Sequence, residues 1–147
     1  MPSSKKKTNF DQLIGVIKDL DSTQTQQILA GLARQDPSLA QALLEAMFTF
    51  DDLIHLTDRS MQFLIKEIDR RTLIRALKKT SAELQQKFLR NLSKRARETL
   101  LEEIEIAPPL RLSEVKEAQR QIANYARTLE EEGRIVVVRP DDDDPLV

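Results

Sequence analysis

The sequence predicts a chain built of helices, and three observations carry that prediction. Apolar residues recur at three- and four-residue spacing in one segment after another, the period of a helix face. Most of these segments follow a Ser, Asp or Asn placed to cap a helix N-terminus. With only three glycines and 4% aromatic residues, the turns and packed rings of an all-β chain are in short supply. At 147 residues and 40% hydrophobic content, the chain can bury a core as one moderate domain or two small ones.

Residues 1–8 are polar, and Lys5-Lys6-Lys7 reads as a disordered, solubilising basic leader. Residues 9–46 read as three short helices. Phe10, Leu13, Ile14 and Ile17 stripe the first, with Asn9 as its cap. Asp21-Ser22 breaks the pattern and caps a second helix striped by Ile28, Leu29 and Leu32. Asp36-Pro37 starts a third, an N-cap followed by proline at the first helical position. Leu39, Leu43 and Met47 lie inside it, with Ala40 and Leu44 beside them. A unit this small buries little surface alone, so it is expected to pack on the rest of the chain or on another molecule. Met47-Phe48-Thr49-Phe50 then sets two rings at a junction. These residues allow two readings: core packing where helices meet, or a hinge whose rings repack.

Residues 51–91 carry more short helices. Asp51 and Asp58 are placed as caps, and Met61, Leu64, Ile65 and Ile68 form a stripe. Asp69 caps a helix with Leu73, Ile74 and Leu77. Thr80 to Glu83 has capping-box spacing before Leu84, Phe88 and Leu92. Ser93 caps the next helix, which Pro108-Pro109 stop, leaving Ile106 to Leu110 as an extended connector. Ser113 starts the longest helix, with Val115, Ala118, Ile122, Tyr125, Ala126 and Leu129 inside and Gly133 at its C′ position. Ile135 to Val138 is β-branched, but one strand is not a sheet, and it reads as an extended segment laid on the helices. Asp141 to Asp144 begin a solvated acidic tail without the ordered ligand spacing of a calcium loop.

The helix after Ser93 has two faces. Ala96, Leu100 and Ile104 recur every four residues, and Leu101 widens that stripe. Arg95 and Glu102, seven residues apart, share the opposite face, flanked by Glu98, Glu103 and Glu105. Its acidic C-terminal end works against the macrodipole by roughly 0.3–1 kcal/mol per charge. Glu98 and Glu102 are also a like-charge i,i+4 pair. Such a face is either a solvated surface or a surface meant for a charged partner.

Composition excludes several function classes. A formal net charge of −1 gives no global field for nucleic acid or an anionic membrane. Without cysteine there are no disulfides and no thiolate metal sites, which fits a reducing compartment. No apolar run approaches the ~20 residues of a membrane helix, and no hydrophobic segment follows the lysines as in a signal peptide. His55 is the sole histidine, so no His-based metal cluster forms. There is no phosphate-cradling Gly-rich loop and no nucleophile elbow, and catalysis is not expected.

Six words occur in a telling order. They are Met47-Phe48-Thr49-Phe50-Asp51-Asp52-Leu53, Asp58-Arg59-Ser60-Met61-Gln62 and Ala76-Leu77-Lys78. Asn91-Leu92-Ser93-Lys94-Arg95-Ala96, Leu110-Arg111-Leu112-Ser113-Glu114-Val115 and Glu131-Glu132-Gly133-Arg134-Ile135-Val136 complete the series. From about residue 10 to 138 the chain resembles the C-terminal part of the bacterial flagellar motor switch protein FliG family. The resemblance implies an all-α fold. Residues 9–46 would be an armadillo-like three-helix unit, 47–50 a Met-Phe-x-Phe hinge, and 51–138 a six-helix torque domain, followed by the tail at 139–147.

In that family the charged helix faces the cytoplasmic loop of a MotA-type stator, an ion-driven membrane complex, and opposite charges couple the two. The matching positions here are Lys78, Arg95, Glu102, Glu103 and Arg111, all with the family's charge sign. The three-helix unit would stack on a neighbouring FliG or other switch-ring subunit. No cofactor, nucleic acid or direct membrane insertion is implied, and the expected location is the cytoplasmic face of the inner membrane in the basal body. The chain departs from the family where paired aspartates become Glu102 and Glu103, and where glycines become Lys79 and Pro108. Full-length members also carry an N-terminal domain that binds the membrane ring and a middle domain that binds FliM. The sequence here begins after both, and the leader from Met1 to Thr8 favours a short stand-alone relative. Two functions follow: a rotor component supporting torque generation and direction switching, or a module that caps or modulates a switch ring or another assembly.

Overall fold

Short polar side chains set where the helices begin. The computed structural model describes residues 9–138, apart from the Ser22 side chain. The basic leader and the acidic tail lie outside the described residues. Contacts divide the chain into two units, with the boundary between Met47 and Phe48.

The first unit holds α1 (Asn9–Lys18), α2 (Ser22–Gln35) and α3 (Pro37–Met47). Asp21 caps α2 reciprocally: its Oδ1 accepts from Gln24 N at 2.8 Å, and Gln24 Oε1 accepts from Asp21 N at 3.3 Å. Asp36 closes α2 and opens α3, its Oδ1 accepting from Leu39 N at 3.1 Å with Pro37 at the first helical position. The Thr25 hydroxyl donates to the Ile17 carbonyl at 3.3 Å, giving the end of α1 a partner on α2. Ile17, Ala40 and Leu43 are buried. Leu29 and Leu32 are half-buried, while Ile28, expected on the inner stripe of α2, is exposed.

The second unit opens with a 3-10 helix, Phe50–His55. It continues with α4 (Asp58–Glu67), α5 (Arg70–Leu77), α6 (Ala82–Leu89), α7 (Lys94–Ile106) and α8 (Leu112–Glu131). Four helix starts differ from expectation, one of them α8, which begins at Leu112 with Arg111 as its N-cap rather than at Ser113. Thr49, not Asp51, precedes the 3-10 helix, with Asp52 Oδ2 accepting from Thr49 N at 2.8 Å. Thr57, not Asp58, caps α4 through Ser60 N at 3.1 Å, and Ser81, not Thr80, caps α6 through Leu84 N at 3.1 Å. At Thr57-Asp58 a threonine stands beside an aspartate, and either residue can cap. Asp69 caps α5 as expected.

The core of this unit joins Leu53, Leu56, Met61, Leu64, Leu77, Leu84, Phe88, Leu100, Ile122 and Leu129, all at most 1–2% exposed. Burying each such side chain contributes about 1.5–3 kcal/mol. Phe48 and Phe50 belong to the same core, and Phe50 stacks on Phe88 with ring centroids 5.8 Å apart. Gly133, at φ +73°, ends α8 in a Schellman turn: Arg134 N donates to Leu129 O and Gly133 N to Glu130 O, both at 2.9 Å. The chain then runs back to the start of the unit. Val138 N donates to His55 O at 2.8 Å and Thr57 N to Val136 O at 3.3 Å, making an antiparallel bridge between Leu56 and Val137. Val136 N donates to Ser60 Oγ at 2.8 Å. The β-branched run therefore pairs, as one bridge rather than a sheet.

Candidate functional site: the outer face of α7

Helix α7 is held by a narrow inner stripe. Leu100 is fully buried, and Ala96 and Ile104 are half-buried. Leu101 does not widen that stripe; it is 40% exposed, because α7 lies at the unit's edge and covers little more than one side-chain row. Ser93 Oγ starts the helix by accepting from Ala96 N at 3.2 Å. Arg97 points inward, its Nε donating to Leu89 O at 3.1 Å and its Nη2 to Leu92 O at 3.4 Å. It thereby satisfies carbonyls that the end of α6 leaves open. Arg95, Glu98, Thr99, Glu102, Glu105 and Ile106 form the exposed outer ridge.

The five charged positions expected to act together fall into two groups. Arg95, Glu102 and Arg111 are exposed, and their side chains make no ion pair among the described residues. Glu103 and Lys78 are half-buried and engaged. Glu103 Oε1 accepts from Arg70 Nε at 3.0 Å and forms an ion pair with the same guanidinium. Lys78 Nζ donates to the Ala107 carbonyl at 2.8 Å, at the C-cap of α7.

These contacts resolve the acidic end of α7. Its own last turn carries no cation. Helix α5 supplies two: Arg70 from its first residue meets Glu103, and Lys78 from its C-cap meets the last carbonyl, where the helix dipole favours positive charge. Helix α5 is itself held by α8, where Gln119 Nε2 donates to Ala76 O at 2.9 Å and Lys79 O at 2.8 Å. Arg70 and Gln119 were not singled out from sequence. A signal existed: Arg70-Arg71 at the start of α5 and the glutamates at the end of α7 each oppose their own helix dipole, and opposite misplacements of this kind can offset each other.

A second charged cluster ties α4 to α6. Asp58 Oδ1 accepts from Arg90 Nη2 at 3.0 Å and Asn91 Nδ2 at 3.2 Å, with Lys87 Nζ 3.9 Å away. Asn91 also donates to Lys87 O at 2.7 Å and accepts from Gln62 Nε2 at 3.2 Å. The hydrogen bonds from Asn91 and then Arg90 hold the Asp58 carboxyl below its usual range. Burial pushes the Lys87 amine down, Arg90 adds to that, and Asp58 opposes it.

A groove of about 380 Å³ between α5 and α8 is lined by charges of both signs, among them Arg71, Arg75, Glu114 and Glu117. Among the described residues no three His, Asp or Glu gather as metal ligands would, and no helix is long and apolar enough to cross a membrane.

The chain is thus an all-helical protein of two capped units, with a row of charges on the outer face of α7 that lack internal partners among the described residues. The sequence profile of the FliG C-terminal domain matches residues 30–137. The chain is 42% identical over 130 residues to the flagellar motor switch protein FliG of Thermotoga maritima, covering 88% of this chain and 39% of that protein. Against the FliG of Borreliella burgdorferi the identity is 38%, over 93% of this chain and 40% of that protein. The structure of full-length FliG from Aquifex aeolicus superposes with a TM-score of 0.81 at 35% identity, covering 88% of this chain and 40% of that one. The chain belongs to the FliG C-terminal domain family. It spans about two fifths of the length of these relatives.

Proposed function

We propose that the chain is a component of the bacterial flagellar rotor and switch, and that the outer ridge of α7 meets the cytoplasmic loop of a MotA-type stator to pass torque and support direction switching. One observation carries this reading. Of the charges on and around α7, Glu103 and Lys78 are braced by internal partners, whereas Arg95, Glu98, Glu102 and Glu105 stand exposed with none. Unpaired charges on a braced helix serve electrostatic recognition of a complementary surface. In this reading Arg95 and Glu102 make the contact, Arg111 extends it at the start of α8, and Lys78 and Glu103 hold α7 in position. The location is the cytoplasmic face of the inner membrane in the basal body.

The test is reversal of both signs, Arg95→Glu with Glu102→Arg, in cells that rely on this chain for motility. Helicity and melting should be unchanged, since both residues are exposed, while swimming is lost or strongly reduced. Normal rotation would sink the reading.

A second reading, an interaction module without torque transmission, draws on the first unit. Val16 is 59% exposed and Ile28 39%, apolar side chains on α1 and α2 that are available for stacking on a neighbouring FliG or switch-ring subunit. In that case the doubly reversed chain would still bind its neighbour and motility would not depend on the ridge. Residues 47–50 serve as the hinge in either reading: the unit boundary falls after Met47, and Phe48 and Phe50 are anchored on the second unit's side. Solution scattering of Phe48→Ala should differ from that of the unaltered chain, and an unchanged profile leaves core packing as the role of these rings.

A further inference from the structure

Ile106 is the last residue of α7 and is 80% exposed. It follows Glu102 by four residues and Arg95 by eleven. At roughly 100° per residue, the three side chains fall within about 40° of one another around the helix axis. Pro108 and Pro109, just beyond the helix end, are both exposed. A single exposed hydrophobic residue is ordinary. This one stands in line with Arg95 and Glu102, while Glu98 and Glu105 lie on one flank, roughly 80° and 100° around the axis from it, so the ridge is asymmetric along its length: cationic at Arg95, acidic through Glu98, Glu102 and Glu105, apolar at Ile106. End to end it rises roughly 16 Å.

We propose that Ile106 is the apolar anchor of the α7 contact and fixes the direction and register in which the stator segment lies on the ridge. This rests on the reading of α7 as the stator-facing helix. The occupant is a segment of the stator's cytoplasmic loop that presents an anion to Arg95, cations to the three glutamates and an apolar recess to Ile106, in that order. Charge alone fixes register weakly, because Glu98, Glu102 and Glu105 repeat along one face and a cation shifted by a turn still meets a carboxylate. An apolar side chain adds affinity only where a matching recess removes it from water. The ridge therefore combines a charged stretch for encounter with an apolar end for registration.

The experiment measures binding of the full chain to the intact, detergent-solubilised stator complex of the same organism, at about 50 mM and about 500 mM salt, a range over which surface charges become screened. Ile106→Gln should weaken binding about tenfold at both concentrations, as expected for partial burial of one aliphatic side chain. Glu102→Lys should weaken it comparably at low salt and much less at high salt. Both variants should melt like the unaltered chain. Unchanged binding by Ile106→Gln, or a deficit that vanishes with salt, overturns the anchor even while Glu102→Lys upholds the charge reading. A defect in Ile106→Gln with none in Glu102→Lys upholds the anchor and overturns the charge reading. No binding by the unaltered chain at either concentration overturns both.

Discussion

Asp58 and Glu102 are both carboxylates on exposed helix surfaces, and the molecule uses them in opposite ways. Asp58 gathers Asn91, Arg90 and Lys87, so that every charge in its cluster works inside the unit, tying α4 to α6. Glu102 has no partner among the described residues, and neither does Arg95 on the same ridge. Accessibility alone does not separate these regions. Pairing does. A surface charge satisfied by its neighbours contributes to the fold, whereas one left open on a well-braced helix is available to another molecule.

The largest change expected on the Asp58 side is from Asn91→Ala. It removes the donor to Asp58 and to Lys87 O together, and should lower the chemical-denaturation midpoint near neutral pH. The acid dependence carries a sign. Because the folded Asp58 carboxyl titrates below its usual range, its contribution is present above the ordinary carboxylate value of 3.8 and is lost as pH falls through the lowered one. The stability gap between the unaltered chain and Asn91→Ala should thus narrow on acidification. An equal gap at all pH values would mean that Asp58 gains nothing from Asn91, and the contrast with Glu102 would collapse.

A smaller effect sharpens the comparison at the border of the ridge. Arg70→Gln releases Glu103 from an ion pair whose side chains are 48% and 35% exposed. Stability should fall by no more than about 0.2–1 kcal/mol. Binding to a cationic partner should tighten slightly at low salt, because a third adjacent glutamate joins Glu102 and Glu105. If binding weakens instead, Arg70 is itself part of the contact surface, and the division into paired and unpaired charges is drawn in the wrong place.

Much of the fold was legible because its signals are local. Asp21, Asp36, Asp69 and Ser93 begin or cap helices within three residues of the groups they bind, and Gly133 ends α8 where a positive φ is required. Periodicity located Leu100 and Leu43 in their cores. The errors came where two capping residues adjoin, as at Thr57-Asp58, and where the apolar stripe ran wider than the buried face, leaving Leu101 and Ile28 exposed. The candidate site was half legible. Seven-residue spacing put Arg95 and Glu102 on one face, but it could not tell them from Glu103 and Lys78. That distinction depends on Arg70, 33 residues before Glu103, and on a lysine 29 residues before the carbonyl it meets. Such contacts leave no periodic trace, since each is fixed by how two helices pack. The bridge from His55 and Thr57 to Val136 and Val138 is longer-range still.

That bridge also determines how the second unit takes a pull. The chain enters α4 and leaves beyond α8 side by side, clasped by two backbone hydrogen bonds and the bond from Val136 N to Ser60. Tension between the unit's two ends falls first on this clasp. The five α-helices between them, with the ridge on α7, lie in a closed loop outside the line of load, so α7 can keep its shape while the ends of its own unit are under strain.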